Sequence, residues 1–129
     1  SYCSALQSLP ERLGELKNLQ TLKLRACVAL VSLPERFGEL KSLTSLNLKD
    51  CRSLVSLSEG FGKLQNLKDL NISYCYALQS LPERSGELNL TDINFGYCWT
   101  LDLAPIFDVI VIFEGLIKPR LLARTTVTR

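Results

Sequence analysis

Residues 30–54 read L-V-S-L-P-E-R-F-G-E-L-K-S-L-T-S-L-N-L-K-D-C-R-S-L, and residues 6–30 give the same string at most positions. Working outward, Cys3, Cys27, Cys51, Cys75 and Cys98 stand 24, 24, 24 and 23 residues apart. A leucine follows each of them three residues later, at Leu6, Leu30, Leu54, Leu78 and Leu101. A fixed period of twenty-odd residues marks a stack of repeats, each unable to bury its apolar face alone. Residues 1–101 therefore divide into a partial unit and four units of 24, 24, 24 and 23 residues. The third unit reads S-E-G where the others read P-E-R, and the fourth puts Ser85 where Leu13, Phe37 and Phe61 stand. Residues 102–129 form a non-repeat tail, whose apolar run from Ala104 to Ile117 reads as a makeshift cap or, as the alternative, as adventitious sequence foreign to the repeats.

Each unit holds a short alternating stretch, such as Leu43-Thr-Ser-Leu46-Asn-Leu48. Alternation of period two puts the leucines on one face of a strand and the polar residues on the other. Strands one full unit apart run parallel, because every unit returns the chain to the same start. The return leg contains Leu33-Pro34-Glu35-Arg36-Phe37-Gly38-Glu39-Leu40. Proline suits a first helical position, and Leu33, Phe37 and Leu40 share one inward face. Gly38 weakens a regular helix, so the reading predicts one or two turns of helix or 3-10 helix. The fold class is α/β.

The pattern L-x-x-L-P-E-x-x-G-x-L-x-x-L-x-x-L-x-L-x-x-C-x-x-L resembles the leucine-rich repeat, over residues 3 to 101. The cysteine at the turn and the L-P-E start resemble the repeats of plant intracellular nucleotide-binding leucine-rich-repeat disease-resistance receptors. They resemble those of Ras-pathway scaffold proteins less closely. The resemblance implies a solenoid with parallel strands on a concave face and short helical or 3-10 segments on the convex face. It also implies a protein–protein interaction module, with the ligand-sensing or regulatory region of an immune-receptor-like protein as the specific version. An intracellular signalling scaffold is the first alternative. Carried over position by position, the partner-binding concave face comprises Thr21, Lys23, Arg25, Ser45, Asn47, Lys49, Asp69, Asn71, Ser73, Asp92 and Asn94, flanked by Tyr74 and Tyr97. This face runs from basic at Lys23, Arg25 and Lys49 to acidic at Asp69 and Asp92. Tyr76 and Trp99 follow the cysteines and offer a second aromatic edge. Five strands about 4.8 Å apart expose roughly 300 Å², short of the roughly 800 Å² each partner buries in a standard interface. A tight complex therefore calls for further units or neighbouring domains.

Composition narrows the remaining classes. A net charge of +2 over 129 residues argues against nucleic acid, and the sequence offers no membrane-spanning run. There is no histidine, which removes the commonest general base, and no phosphate-binding glycine loop. The recurrent Glu11, Glu15, Glu35, Glu39, Glu83 and Glu87 sit with Arg12, Arg36 and Arg84, as on a solvated face with local ion pairs. No enzyme activity, cofactor or metal is expected. The cysteines lack the close pairs of a zinc site, and one thiol per unit reads as a buried ladder of five free thiols in a reducing, cytoplasmic compartment. The sequons Asn71-Ile-Ser73 and Asn89-Leu-Thr91 keep an extracellular receptor ectodomain as the second alternative. The chain contains no methionine and opens in mid-unit, which the reading takes as a piece of a longer repeat protein.

Overall fold

The computed structural model describes residues 3–106. Most of the apolar run considered as a cap, residues 107–117, lies outside the described residues. Each unit contributes one rung: a strand, a tight turn, an ascending leg and a 3-10 helix. The strands are β1 (Thr21–Lys23), β2 (Ser45–Asn47), β3 (Asp69–Asn71) and β4 (Asp92–Asn94). They form one parallel sheet in chain order, with Leu22, Leu46, Leu70 and Ile93 in mutual register. The 3-10 helices are η1 (Glu11–Glu15), η2 (Glu35–Glu39), η3 (Glu59–Lys63), η4 (Glu83–Glu87) and η5 (Ala104–Ile106).

The strands span three residues each, but their hydrogen bonds run further. Thr44 N–H donates to Gln20 O at 2.8 Å before the strand, and Leu24 N–H to Asn47 O at 2.8 Å after it. The ascending legs have a ladder of their own, with Val31, Val55, Gln79 and Asp102 N–H each donating to a carbonyl one rung back, at 2.9–3.3 Å. Between the two ladders lies the core. Leu30, Leu33, Phe37, Leu40, Leu43, Leu46 and Leu48 of one rung are all buried, and their counterparts in the next two rungs follow suit.

The convex segments are 3-10 rather than α, as the glycine and the short span favour. Proline sits one residue earlier than the sequence suggests: Pro10, Pro34 and Pro82 are the residues before the first helical turn, in extended or near-extended backbone. The glycine has a second role in packing one helix on the next. A Cβ on Gly14 would stand 2.5 Å from Arg36 O, and one on Gly38 would run into Gly60 O. The recurrent glutamates are also more than a solvated face. Glu11 Oε1 accepts Arg36 N–H at 2.9 Å and Glu35 Oε1 accepts Glu59 N–H at 3.2 Å. Each thus caps an orphan donor at the start of the next rung's helix. Arg36 adds a fork to Glu39 at 3.1 Å and a reach to Glu15 at 3.6 Å.

The rung pattern does not stop at Leu101. Ser56, Ser80 and Asp102 form successive parallel bridges, and η5 packs beneath η4 with Leu101, Leu103 and Ile106 buried. In the fourth rung Ser85 occupies the inward phenylalanine position. It is fully buried, and its Oγ has no hydrogen-bond partner among the described residues.

Cysteine follows the expected ladder at three rungs. Cys51 Sγ donates to Leu24 O at 3.1 Å, Cys75 Sγ to Leu48 O at 3.1 Å and Cys98 Sγ to Ile72 O at 2.9 Å. The expectation of five free thiols is corrected at the fourth. Cys27 is disulfide-bonded to Cys3, with Cα atoms 4.8 Å apart, and only Cys51, Cys75 and Cys98 are free. The physical reason lies in the ladder itself. Successive rungs bring equivalent cysteines side by side, and Cys3 and Cys27 stand one rung apart. Rung spacing then leaves the Cys3 thiol as the neighbour of Cys27, within bridging range.

Two outcomes follow. Denatured, unreduced protein should titrate three thiols and reduced protein five; five in both would remove the bridge. Ser85→Ala should raise stability by about 1 kcal/mol by deleting an unpaired buried hydroxyl, read as a higher urea midpoint. A lower midpoint would show that the hydroxyl is satisfied.

Candidate interaction surface

The sheet sets which side chains reach solvent. In β1 Leu22 points inward, so Thr21 and Lys23 point out, and Arg25 continues their row; all three are exposed. Ser45, Asn47, Asp69, Asn71 and Asp92 line one depression across β2, β3 and β4. Asp69 and Asp92 are register partners on neighbouring strands, both exposed, and neither is in an ion pair among the described residues. Like charges directly opposed across a sheet repel. Lys23 and Arg25 at the other end are likewise unpaired among the described residues.

The strand ends are built from asparagine. Asn47 Oδ1 accepts Lys49 N–H at 2.9 Å, Asn71 Oδ1 accepts Ser73 N–H at 3.0 Å, and Asn94 Oδ1 accepts Gly96 N–H at 3.3 Å. A short amide side chain bonding the backbone two residues on is the turn device expected of asparagine. The carbonyl oxygens of Asn47, Asn71 and Asn94 are therefore committed to the turn. Ser73 must be struck from the exposed set. It is 3% exposed, and its Oγ donates to Asn71 Oδ1 at 2.6 Å. Its short hydroxyl folds back on the asparagine instead of reaching out as Arg25 does.

One residue further, Ala26, Asp50, Tyr74 and Tyr97 all have positive φ, at 60°, 67°, 63° and 66°. This left-handed backbone turns the chain so that Cys27, Cys51 and Cys75 N–H close back onto Leu24, Leu48 and Ile72 O at 3.2–3.3 Å. The cysteines then enter the core. For an L-residue the left-handed region costs about 1–2 kcal/mol, and for a bulky one it is an outlier. The same bend throws the side chains of Tyr74 and Tyr97 outward, where they stack at 4.7 Å with planes 14° apart. Tyr76 meets Tyr74 edge-on at 6.1 Å, and Trp99 meets Tyr97 edge-on at 5.6 Å. What reads in the sequence as two aromatic edges is one cluster. Tyr76 and Trp99 belong with Tyr74 and Tyr97, and the signal was their common place beside the cysteine.

The free thiols take no part in this surface. Burial pushes Cys75 up to about 12 and Cys98 up to about 11, and it raises Cys51 as well. They remain protonated at neutral pH, which makes them poor nucleophiles and poor ligands. Among the described residues no group of three or more His, Cys, Asp or Glu could hold a metal ion. Asn89, the second sequon asparagine, is exposed, but its Nδ2 donates to Gln65 O at 3.0 Å.

No family model and no curated protein matches the chain. Solved structures do. The leucine-rich-repeat domain of the type III effector XopL superposes with a TM-score of 0.53 at 21% identity, over 78% of this chain and 46% of that one. The fold is a leucine-rich-repeat solenoid. A leucine-rich-repeat protein of Leptospira interrogans matches with a TM-score of 0.49 at 26% identity, over 78% of this chain and 34% of its own. The chain thus spans less than half the length of either neighbour. Among the described residues no helix of the solenoid is long and apolar enough to cross a membrane.

Replacing Ala26 by glycine removes the Cβ from a left-handed residue at the expense of chain entropy. Ala26→Gly should therefore stabilise the solenoid by about 0.5–1 kcal/mol, measured by equilibrium denaturation. A loss of stability would mean that the positive φ at this position carries no strain.

Proposed function

We propose that this solenoid holds a protein partner across its concave sheet. The partner's acidic part lies over Lys23 and Arg25, and its basic part over Asp69 and Asp92. Leucine-rich-repeat folds generally serve as protein-interaction modules rather than enzymes, and fold alone does not choose the partner. The observation that supports a polar partner is the register pairing of Asp69 and Asp92, with Lys23 and Arg25 at the far end of the sheet, none of the four in an ion pair among the described residues. A ligand of opposite polarity relieves the repulsion at one end and is steered by both. The area is small, so contacts beyond these rungs contribute to a stable complex.

The finer reading is the ligand-sensing or regulatory region of an immune-receptor-like protein, working inside the cell. Its support is the L-P-E start at residues 9–11, 33–35 and 81–83 and the turn cysteine. The Cys3–Cys27 bridge weighs the other way, toward an oxidising setting, and the three free thiols are buried and fit either one.

Peptides displayed on phage and selected on the wild-type chain should carry separated acidic and basic segments. Lys23→Glu/Arg25→Glu should weaken the selected peptides at least roughly ten-fold while leaving the melting midpoint in place. Lys49 stays unaltered in this variant because it also lies over Tyr74. Undiminished binding by the double variant would place the partner elsewhere.

A further inference from the structure

Two rows of side chains run along the turn edge, each advancing one rung at a time. The inner row is Lys49, Tyr74 and Tyr97; the outer row is Arg52, Tyr76 and Trp99. In each row the first member is a cation lying over the ring of the second. Lys49 Nζ is 5.8 Å from the Tyr74 centroid, and Arg52 Cζ is 5.7 Å from that of Tyr76. The last rings, Tyr97 and Trp99, are 39% and 54% exposed, and among the described residues no cation lies over either.

We propose that this turn edge is a second docking surface, separate from the concave sheet, for an arginine-bearing segment of a partner protein. The guanidinium stacks on one of the rings Tyr97 and Trp99 and meets the other edge-on, since the two stand 79° apart. The molecule already uses that contact one rung earlier, where its own Lys49 and Arg52 sit on tyrosine rings. A ring face attracts a cation through its quadrupole, and arginine adds a flat surface for stacking.

Charge selects the same occupant. Between Leu6 and Ala29 four cations stand against two carboxylates, whereas the rung from Leu78 to Thr100 holds Glu83, Glu87 and Asp92 against Arg84 alone. The open rings therefore belong to the acidic end of the solenoid. A neutral sugar or a proline helix would stack on the same rings without using that field.

Backbone strain adds a third, independent reason. Alanine and aspartate serve at the equivalent position in the first two rungs, so the turn itself has no need of a ring. Tyrosine there is held at positive φ twice in succession, and strain of this kind clusters at functional sites.

Trp99 is the only tryptophan, so its emission reports on the edge directly. The probe is an acetylated, amidated Gly-Arg-Gly-Arg-Gly peptide, set against the same peptide with citrulline, against maltohexaose and against hexaproline. The arginine peptide should change Trp99 emission saturably, with the citrulline peptide weaker by roughly five-fold or more. Tyr97→Asn, a residue that tolerates the left-handed backbone, should weaken the response similarly, while Tyr97→Phe and Asp69→Asn/Asp92→Asn retain it. Loss of the response in the last variant would instead assign it to the concave sheet. An equal response to citrulline, a stronger one to the sugar or the proline peptide, or none up to about 10 mM would overturn the proposal. So would peptide-free self-association abolished by Tyr97→Asn, which would give the edge to a second copy.

Discussion

A buried peptide group must find a hydrogen-bond partner; in this solenoid the turns close theirs within the rung, and the strands and ascending legs find theirs on the adjacent rung. The sheet amides reach across, as do the amides of the ascending legs. Side chains do the same. Cysteine thiols donate backward to strand carbonyls, Asn66 and Asn89 amides donate backward to Lys41 and Gln65, and Glu11 and Glu35 accept from the helix ahead. No rung is complete alone, so stability resides in the junctions between units rather than in the units. Long-range pairing here is therefore nearest-neighbour pairing in space, at a constant separation of one repeat.

The same dependence explains where the structure departs from its own pattern. Cys27 bonds covalently to Cys3, where the later cysteines donate to strand carbonyls. Ser85 replaces a phenylalanine where η4 packs between η3 and the short η5, and its hydroxyl has no partner among the described residues. Interior rungs show neither defect. Phe37 and Phe61 fill their positions completely, and Cys51 and Cys75 have their carbonyls.

Much of this is legible in the sequence because the period repeats every local signal several times. Alternating leucines give the strands, and Leu33, Phe37 and Leu40 give the inward face of the convex leg. What stays hidden depends on which of two equivalent jobs a short polar side chain takes. Asn47, Asn71 and Asn94 occupy outward strand positions, yet their oxygens serve the turn, and Ser73 follows Asn71 inward. The capping role of Glu11 and Glu35 is invisible for the same reason: the donor they serve lies one rung away. Rung spacing permits a bridge between any two successive cysteines, so the string does not single out Cys3–Cys27. Burial and pairing thus depend on neighbours that a single unit's string does not contain.

The turn residue before each cysteine has one further consequence. Ala26, Asp50, Tyr74 and Tyr97 share a single backbone geometry while presenting a methyl, a carboxylate and two phenols. The bend is closed by backbone groups, so its hydrogen bonding does not depend on what hangs from it. Such a position behaves as an interchangeable socket, where descent can exchange one chemistry for another by a single codon without disturbing the scaffold. The recognition properties of this edge can drift faster than the fold that carries them.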